Sequence, residues 1–272
     1  MYNNLLQSIN WSSFGFVMLI LTVIAIVFTV LILLISKYCA VSEDPRIEEV
    51  KDKLSGANCG GCGYAGCADF AKAIVEGHAD LSRCASTSKE SKEEIATLLG
   101  IESTSSEPMM AVVKCSGDDE KSVKTFCYVG NQTCIQKSVY FGGDKQCKTG
   151  CLGDGYCITK CAFGAISTDN GVAKVDKNLC TGCGACANNC PKTTIELIPK
   201  SATVYVACSS NCKGKDVINA CKAGCIGCGL CAKACPNGAI TMVNNLPHID
   251  YSICSGCKSC VIKCPKKVIK EI

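Results

Sequence analysis

Four-cysteine runs recurring at one fixed spacing constrain this chain more than any other feature. Cys180, Cys183, Cys186 and Cys190 are followed by Pro191, Cys225, Cys228, Cys231 and Cys235 by Pro236, and Cys254, Cys257, Cys260 and Cys264 by Pro265. Each is C-x2-C-x2-C-x3-C-P. The tight triplet of such a run wraps three corners of a [4Fe-4S] cubane, and the fourth cysteine, turned away at the proline, reaches a second cluster. Such motifs work in pairs. Eighteen residues separate Cys235 from Cys254, a strand-turn-strand length, so the last two motifs pair. They give one set of Cys225, Cys228, Cys231 and Cys264 and another of Cys235, Cys254, Cys257 and Cys260. The chain holds 27 cysteines in 272 residues. In a short secreted chain that density would mean disulfides, but the length, the odd count and the ligand spacing favour thiolates on metal.

The stretch CKTGCLGDGYCITKCAFGAI, Cys147 to Ile166, departs from the pattern, with spacing C-x3-C-x5-C-x3-C and Ala162 in place of proline. Cys161 to Cys180 again leaves 18 residues, and the two halves match at a constant offset of 74: 161 to 235, 180 to 254, 190 to 264. On that register Cys151 matches Cys225, Cys157 matches Cys231, and Asp154 stands where Cys228 should be. The sequence therefore predicts one cluster on Cys161, Cys180, Cys183 and Cys186. A second is expected on Cys151, Cys157 and Cys190, with Cys147, one turn upstream, as the substitute fourth ligand. A metal-free site, ligation by Asp154 and a three-iron cluster are the alternatives.

Ahead of these repeats, Phe14 to Ile35 runs 22 residues without a charge, enough to cross a bilayer as one helix. No Lys or Arg precedes it and no small-residue cleavage site follows, which argues against a signal peptide. Lys37, Arg46, Lys51 and Lys53 all lie after the span. The positive-inside rule then puts the N-terminus outside, with Trp11 at the interface, and the C-terminal bulk in the reducing cytoplasm. SEDPRIEEVKDKLSG reads as a helix ended by Gly56. Beyond it Cys59, Cys62, Cys67 and Cys84 form C-x2-C-x4-C-x16-C around a second helix, a set suited to a [4Fe-4S] cluster, with zinc as the alternative. The embedded Gly61, Gly63, Gly66 pattern follows a helix rather than a strand, so it does not read as a dinucleotide loop. Ser91 and Glu94 read as a capping box opening a helix that ends at Gly100, and IESTSSEP as a linker.

Five clusters use 20 cysteines and leave Cys39, Cys115, Cys127, Cys134, Cys208, Cys212 and Cys221. AVVKCSG at 111 and VYVACSS at 204 each read as a strand ending in cysteine before a ferredoxin pair. A sixth cluster could draw on Cys115, Cys134, Cys208 and Cys221, the alternative being buried free thiols. Cys39 reads as a plain thiol.

The predicted architecture is α+β. It comprises an anchor helix (1–36), a small helical 4Fe-4S module (37–101), a linker (102–110) and two tandem two-cluster ferredoxin-like modules (111–200 and 201–272). A net charge of +4 is too small and dispersed to suggest nucleic acid, and two His, His78 and His248, leave no haem or His-rich zinc site. No flavin or NAD site and no catalytic residue is evident, so the clusters serve to pass single electrons. The anchor, the CGGCGYAGC…C module and the ferredoxin pairs together resemble the iron-sulfur B component of the Rnf complex, the ion-translocating ferredoxin:NAD oxidoreductase, in its longer, cluster-rich form. The resemblance implies membrane and peripheral partner subunits, soluble ferredoxin as electron donor, and Na⁺ or H⁺ transport elsewhere in the complex. An anchored polyferredoxin of another membrane oxidoreductase and a zinc-stabilised scaffold are the competing readings. The basic C-terminus, with Lys266, Lys267 and Lys270, is either a steering patch for acidic ferredoxin or a solvated tail.

Overall fold

The uncharged run folds as one helix, α1 (Trp11–Tyr38), whose 28 residues extend about 42 Å at 1.5 Å per residue. Every residue from Phe14 to Lys37 is exposed. The hydroxyls within it bond back to their own helix, Thr22 Oγ1 donating to Leu19 O and Thr29 Oγ1 to Ala25 O, each at 2.8 Å. No side-chain polar group of the two threonines is thus left needing water, as a lipid environment demands. The structure, a computed structural model, describes residues 11–38, 44–101, 107–131 and 133–272. Cys39, linker positions 102–106, the leader before Trp11 and the Trp11 side chain lie outside the described residues. The chain divides into two compact units, Met1–Pro45 and Arg46–Ile272.

The second unit begins with helices α2 (Pro45–Lys53), α3 (Cys67–Val75) and α4 (Lys89–Leu99). Proline suits the first position of α2, where no N–H is needed. Val50, Leu54, Phe70, Ile74, Leu81 and Ile95 close a core among these elements, and Lys53 pairs with Glu94 across it. Helix α4 starts three residues before the expected capping box. Ser88, not Ser91, is the cap, its hydroxyl accepting from Ser91 N at 3.1 Å, because that satisfies an otherwise orphaned N–H. Gly100 ends the helix in the left-handed conformation, φ 66°.

Two repeats follow. In the first, strand β1 (Met109–Val113) runs antiparallel to β4 (Ile195–Pro199), and the hairpin β2 (Ile166–Asp169) and β3 (Val172–Val175) lies between them in sequence. In the second, β5 (Val204–Val206) pairs with β8 (Ile269–Glu271) around the hairpin β6 (Ile240–Val243) and β7 (Leu246–Ile249). The hairpins turn on Asn170-Gly171, φ 46° and 74°, and on Asn244-Asn245, φ 48° and 65°. Two successive positive φ values match the strand twist, and Asn and Gly adopt them most readily. The expected strand-turn-strand segments are therefore these hairpins. Short helices punctuate the repeats: α5 (Cys134–Val139), α6 (Tyr156–Thr159) and α7 (Ala185–Asn188) in the first, then α8 (Lys215–Ala220), α9 (Leu230–Lys233) and α10 (Ser259–Lys263) in the second, and each except α8 carries one cysteine.

Each repeat's core mixes aliphatic side chains with thiols: Ala111, Ile166, Val172 and Ile195 beside Cys151, Cys157 and Cys186, and Val204, Ile240 and Ile269 beside Cys225, Cys231 and Cys260. The C-terminus is not a free tail. Lys270 pairs within β8, and Lys266 Nζ donates to Lys222 O at 3.0 Å.

Candidate iron-sulfur centres

Helix α3 opens at Cys67, and the loop before it carries Cys59 and Cys62. With Cys84 these thiols line one small cavity together with Gly60, Gly61 and Gly66. Asn58 fixes the loop, its side-chain oxygen accepting from Cys67 N at 2.8 Å. Burial works against ionisation of Cys84, but hydroxyls and amides of Ser86 and Thr87 outweigh it and hold the thiol below its usual range. Burial pushes Cys62 the other way. The Gly61, Gly63, Gly66 pattern sits in this thiol loop, between α2 and α3, with no strand ahead of it.

In the first repeat Cys161, Cys180, Cys183 and Cys186 line a second cavity. Ala111 N donates to Cys180 Sγ and Ala165 N to Cys161 Sγ, both at 3.3 Å. Gly182 is obligatory here. Its φ is +73°, and a Cβ would stand 2.2 Å from Met109 O. In the second repeat Cys225, Cys228, Cys231 and Cys264, the register counterparts of Cys151, Asp154, Cys157 and Cys190, line a further cavity, with Val268 N donating to Cys264 Sγ at 3.3 Å. Cys254 and Cys257 act electrostatically on Cys260, and Cys235 packs in the same core.

The odd motif breaks the expected grouping at one point. Cys157 feels the charges of Cys151, Cys134, Cys186 and Cys190, and burial first, then those neighbours, pushes its thiol up to about 12. Cys147 lines another cavity, together with Cys115, Cys208, Cys212 and Cys221. Cys134 therefore stands near Cys157, and Cys147 lines the other cavity. Helix α5 begins at Cys134 and carries Lys137. Lys137 Nζ contacts Asp154 Oδ1 at 2.6 Å and Asp144 Oδ2 at 3.7 Å, with side chains only 8–10% exposed. Burial opposes the Lys137 charge, yet the Asp154 hydrogen bond and the two carboxylates raise its pKa overall. Asp154 is therefore committed to an ion pair. The residue in the cysteine register position is thus paired with a lysine from the helix that begins at Cys134.

Among the described residues, no three His, Cys, Asp or Glu side chains close around a single ion. Three of the thiol sets instead line cavities, which suits a cubane better than a lone zinc, with Zn–S of about 2.3 Å. Backbone N–H groups aimed at sulfur and glycines that let the chain pass close also suit a cluster's negative sulfides. The residues fit the group.

Three family models match the chain: FeS, an Fe-S cluster family, over residues 54–86, a 4Fe-4S binding domain over 173–196, and a 4Fe-4S dicluster domain over 224–268. The odd run from Cys147 to Cys161 lies outside all three. Among curated proteins, the chain is 39% identical to the B component of the Na(+)-translocating ferredoxin:NAD(+) oxidoreductase complex of Acetobacterium woodii, over 92% of this chain and 75% of that one. It is 40% identical to the B component of the proton-translocating ferredoxin:NAD(+) oxidoreductase complex of Clostridium ljungdahlii, over 94% and 92% of the two chains. The B component of the ion-translocating oxidoreductase complex of Methanosarcina acetivorans is also 40% identical, over 89% and 92%. The chain belongs to the family of Rnf B components. As a member of that family it has an N-terminal apolar helix and several 4Fe-4S ferredoxin-type domains, the helical loop module at 54–86 among its matched parts.

Proposed function

We propose that this chain is the iron-sulfur electron-transfer subunit of an ion-translocating ferredoxin:NAD oxidoreductase complex, accepting electrons from reduced ferredoxin and passing them to partner subunits. The relatives' names support the complex. One structural observation supports the wire: ligand sets of neighbouring cavities touch. Cys183 lines the same cavity as Cys59, Cys62, Cys67 and Cys84, and a Cβ at Gly61 would stand 2.1 Å from Cys183 O, so the helical module and the first repeat meet ligand to ligand. When bound, [4Fe-4S] clusters accept and release single electrons without opening a coordination site.

The residues that would hold them are Cys59, Cys62, Cys67 and Cys84; Cys134, Cys151, Cys157 and Cys190; Cys161, Cys180, Cys183 and Cys186; Cys225, Cys228, Cys231 and Cys264; and Cys235, Cys254, Cys257 and Cys260. The modules run 37–101, 111–200 and 201–272, joined to a single membrane anchor at 1–36. Positive charge after the span, at Lys37, Lys51 and Lys53, supports an outside N-terminus and cytoplasmic cluster modules. The protein's work is to hold sulfurs in place, shield them with Ile, Val and Ala side chains, and present the outermost thiols to partners.

The test is metal analysis of anaerobically purified full-length chain, followed by mixing with reduced ferredoxin. Iron of about 20 atoms or more per chain, at four per site, and rapid bleaching by ferredoxin are expected. Dominant zinc, or iron near four, would remove the reading.

A further inference from the structure

Four thiols left over from the ferredoxin motifs meet where the two repeats join. Ser122 bridges Cys221 in antiparallel fashion, Val123 N donates to Ala220 O at 3.0 Å, and Lys222 N donates to Lys121 O at 2.8 Å. Ser209 Oγ adds a bond to Thr149 O at 2.7 Å. Between these contacts lies a cavity of about 290 Å³ lined by Cys115, Cys147, Cys208 and Cys221, with the exposed Cys212 at its edge. Each repeat gives it two thiols in equivalent places. Cys115 follows β1 and Cys208 follows β5, and each sulfur accepts from the first cysteine of its own motif: Cys151 N to Cys115 Sγ and Cys225 N to Cys208 Sγ, both at 3.4 Å. Cys147 and Cys221 each stand four residues before that same first cysteine, 74 apart in sequence. The two repeats thus line the cavity with thiols from equivalent sequence positions.

Its lining suits a cluster. Gly117 leaves open a point 3.0 Å from Cys221 Sγ and 3.7 Å from Cys115 Sγ, and Gly150 does so 3.5 Å from Cys147 Sγ. A side chain at either position would fill the space between sulfurs.

We infer that this cavity is a sixth [4Fe-4S] site, held by Cys115, Cys147, Cys208 and Cys221, two thiolates from each repeat. It rests on the reading of the chain as an electron carrier and completes it. Cys151, beside Cys115, belongs to the set that includes Cys134, and Cys225, beside Cys208, to the set that includes Cys228. The sixth site therefore stands between the two repeats' clusters and links them in one line, one electron entering and one leaving at each transfer.

The test is iron and sulfide content, with spin counting after reduction, on anaerobically purified full-length variants. Wild type is expected near 24 iron atoms, at four per site. Cys147→Ala and Cys208→Ala should each fall to about 20, and the double variant should stay near 20, because both ligate one cluster. Cys134→Ala with Cys208→Ala should fall to about 16. Exposed Cys212, replaced by Ala, should change nothing. Should Cys208→Ala fail to fold, Cys115→Ala with Cys147→Ala makes the same test. A wild type near 20 with Cys147→Ala unaffected overturns the sixth site and leaves the five-cluster reading standing. A fall to about 16 in the Cys147 and Cys208 double variant overturns this ligand set, as would one zinc beside 20 iron atoms. Iron near four in wild type would end the electron-carrier reading itself.

Discussion

Replacing Lys137 by Met tests whether Asp154 is held by charge. Lys137 is 6% exposed and Asp144 5%, and the variant would leave two buried carboxylates facing each other with no cation between. Asp154 Oδ2 and Asp144 Oδ1 already lack a hydrogen-bond partner, so neither can compensate locally. At an effective dielectric of about 20, the attractions at the observed 2.6 and 3.7 Å are about 6 and about 4.5 kcal/mol before desolvation. Desolvation offsets much of that, and removing one partner of a buried pair costs about 3–5 kcal/mol. Helix α5 should then open locally about 10²-fold or more often. Hydrogen exchange of residues 134–139 in the holoprotein reads this directly, and faster loss of iron from the site that includes Cys134 should accompany it. Combining Lys137→Met with Asp154→Asn should recover a large part of the protection. Exchange within tenfold of wild type, with unchanged iron retention, would show that the pair is a solvated surface contact and that Cys134 is not delivered by it.

Three further outcomes follow from charge and close approach. Lys266→Glu with Lys267→Glu should slow association with reduced ferredoxin at low salt, and the difference should vanish near 1 M salt, where the screening length is about 3 Å; equal rates at every ionic strength would remove these lysines from docking. Gly61→Ala pushes a Cβ to 2.1 Å from Cys183 O, so stopped-flow reduction should show slower electron exchange between the helical module and the first repeat at nearly unchanged iron content. Lys145, 1% exposed, donates to Gly117 O at 2.8 Å and Gly171 O at 2.9 Å, and its charge acts on Cys151 and Cys221. Lys145→Met should shift the midpoint potentials of the neighbouring clusters to more negative values in an EPR-monitored titration, since a cation that favours the reduced, more negative state is lost.

The regular motifs were legible because their ligands are local. A triplet with two-residue spacers has few ways to fold around a cavity, and the 18-residue interval between paired motifs accommodates a hairpin turning on Asn-Gly or Asn-Asn. The odd repeat was harder to read, since proximity in sequence favoured Cys147 as the replacement ligand. The spacing also carries a second signal. Cys147 and Cys151 reproduce the spacing of Cys221 and Cys225, whereas Cys115 and Cys208 are 93 apart, 19 more than the repeat offset. Extra residues in the first repeat must therefore lie between Cys115 and Cys147. Cys134 falls within that lengthened interval, so its separation of 74 from Cys208 does not by itself mark equivalent positions. What no spacing could show is that the insertion folds back over its own repeat, because that depends on the buried Lys137 contact with Asp154.

The insertion and the aspartate make a compensating pair, and the pair can be reversed. Asp154 occupies the register position of Cys228, the middle of the tight triplet that the second repeat uses, while Cys134 arrives from outside the motif. Cys134→Ala should lose about four iron atoms, one site's complement. Adding Asp154→Cys puts a thiol back at the motif position and removes one of the two carboxylates from Lys137, whose charge remains matched by Asp144. Iron should return toward the wild-type count, and the first repeat would then bind its cluster as the second does. Iron analysis and the EPR of the reduced double variant decide it. If Asp154→Cys restores nothing while the protein stays folded, the motif position points away from the cavity, and the register that aligns the two repeats fails at that residue.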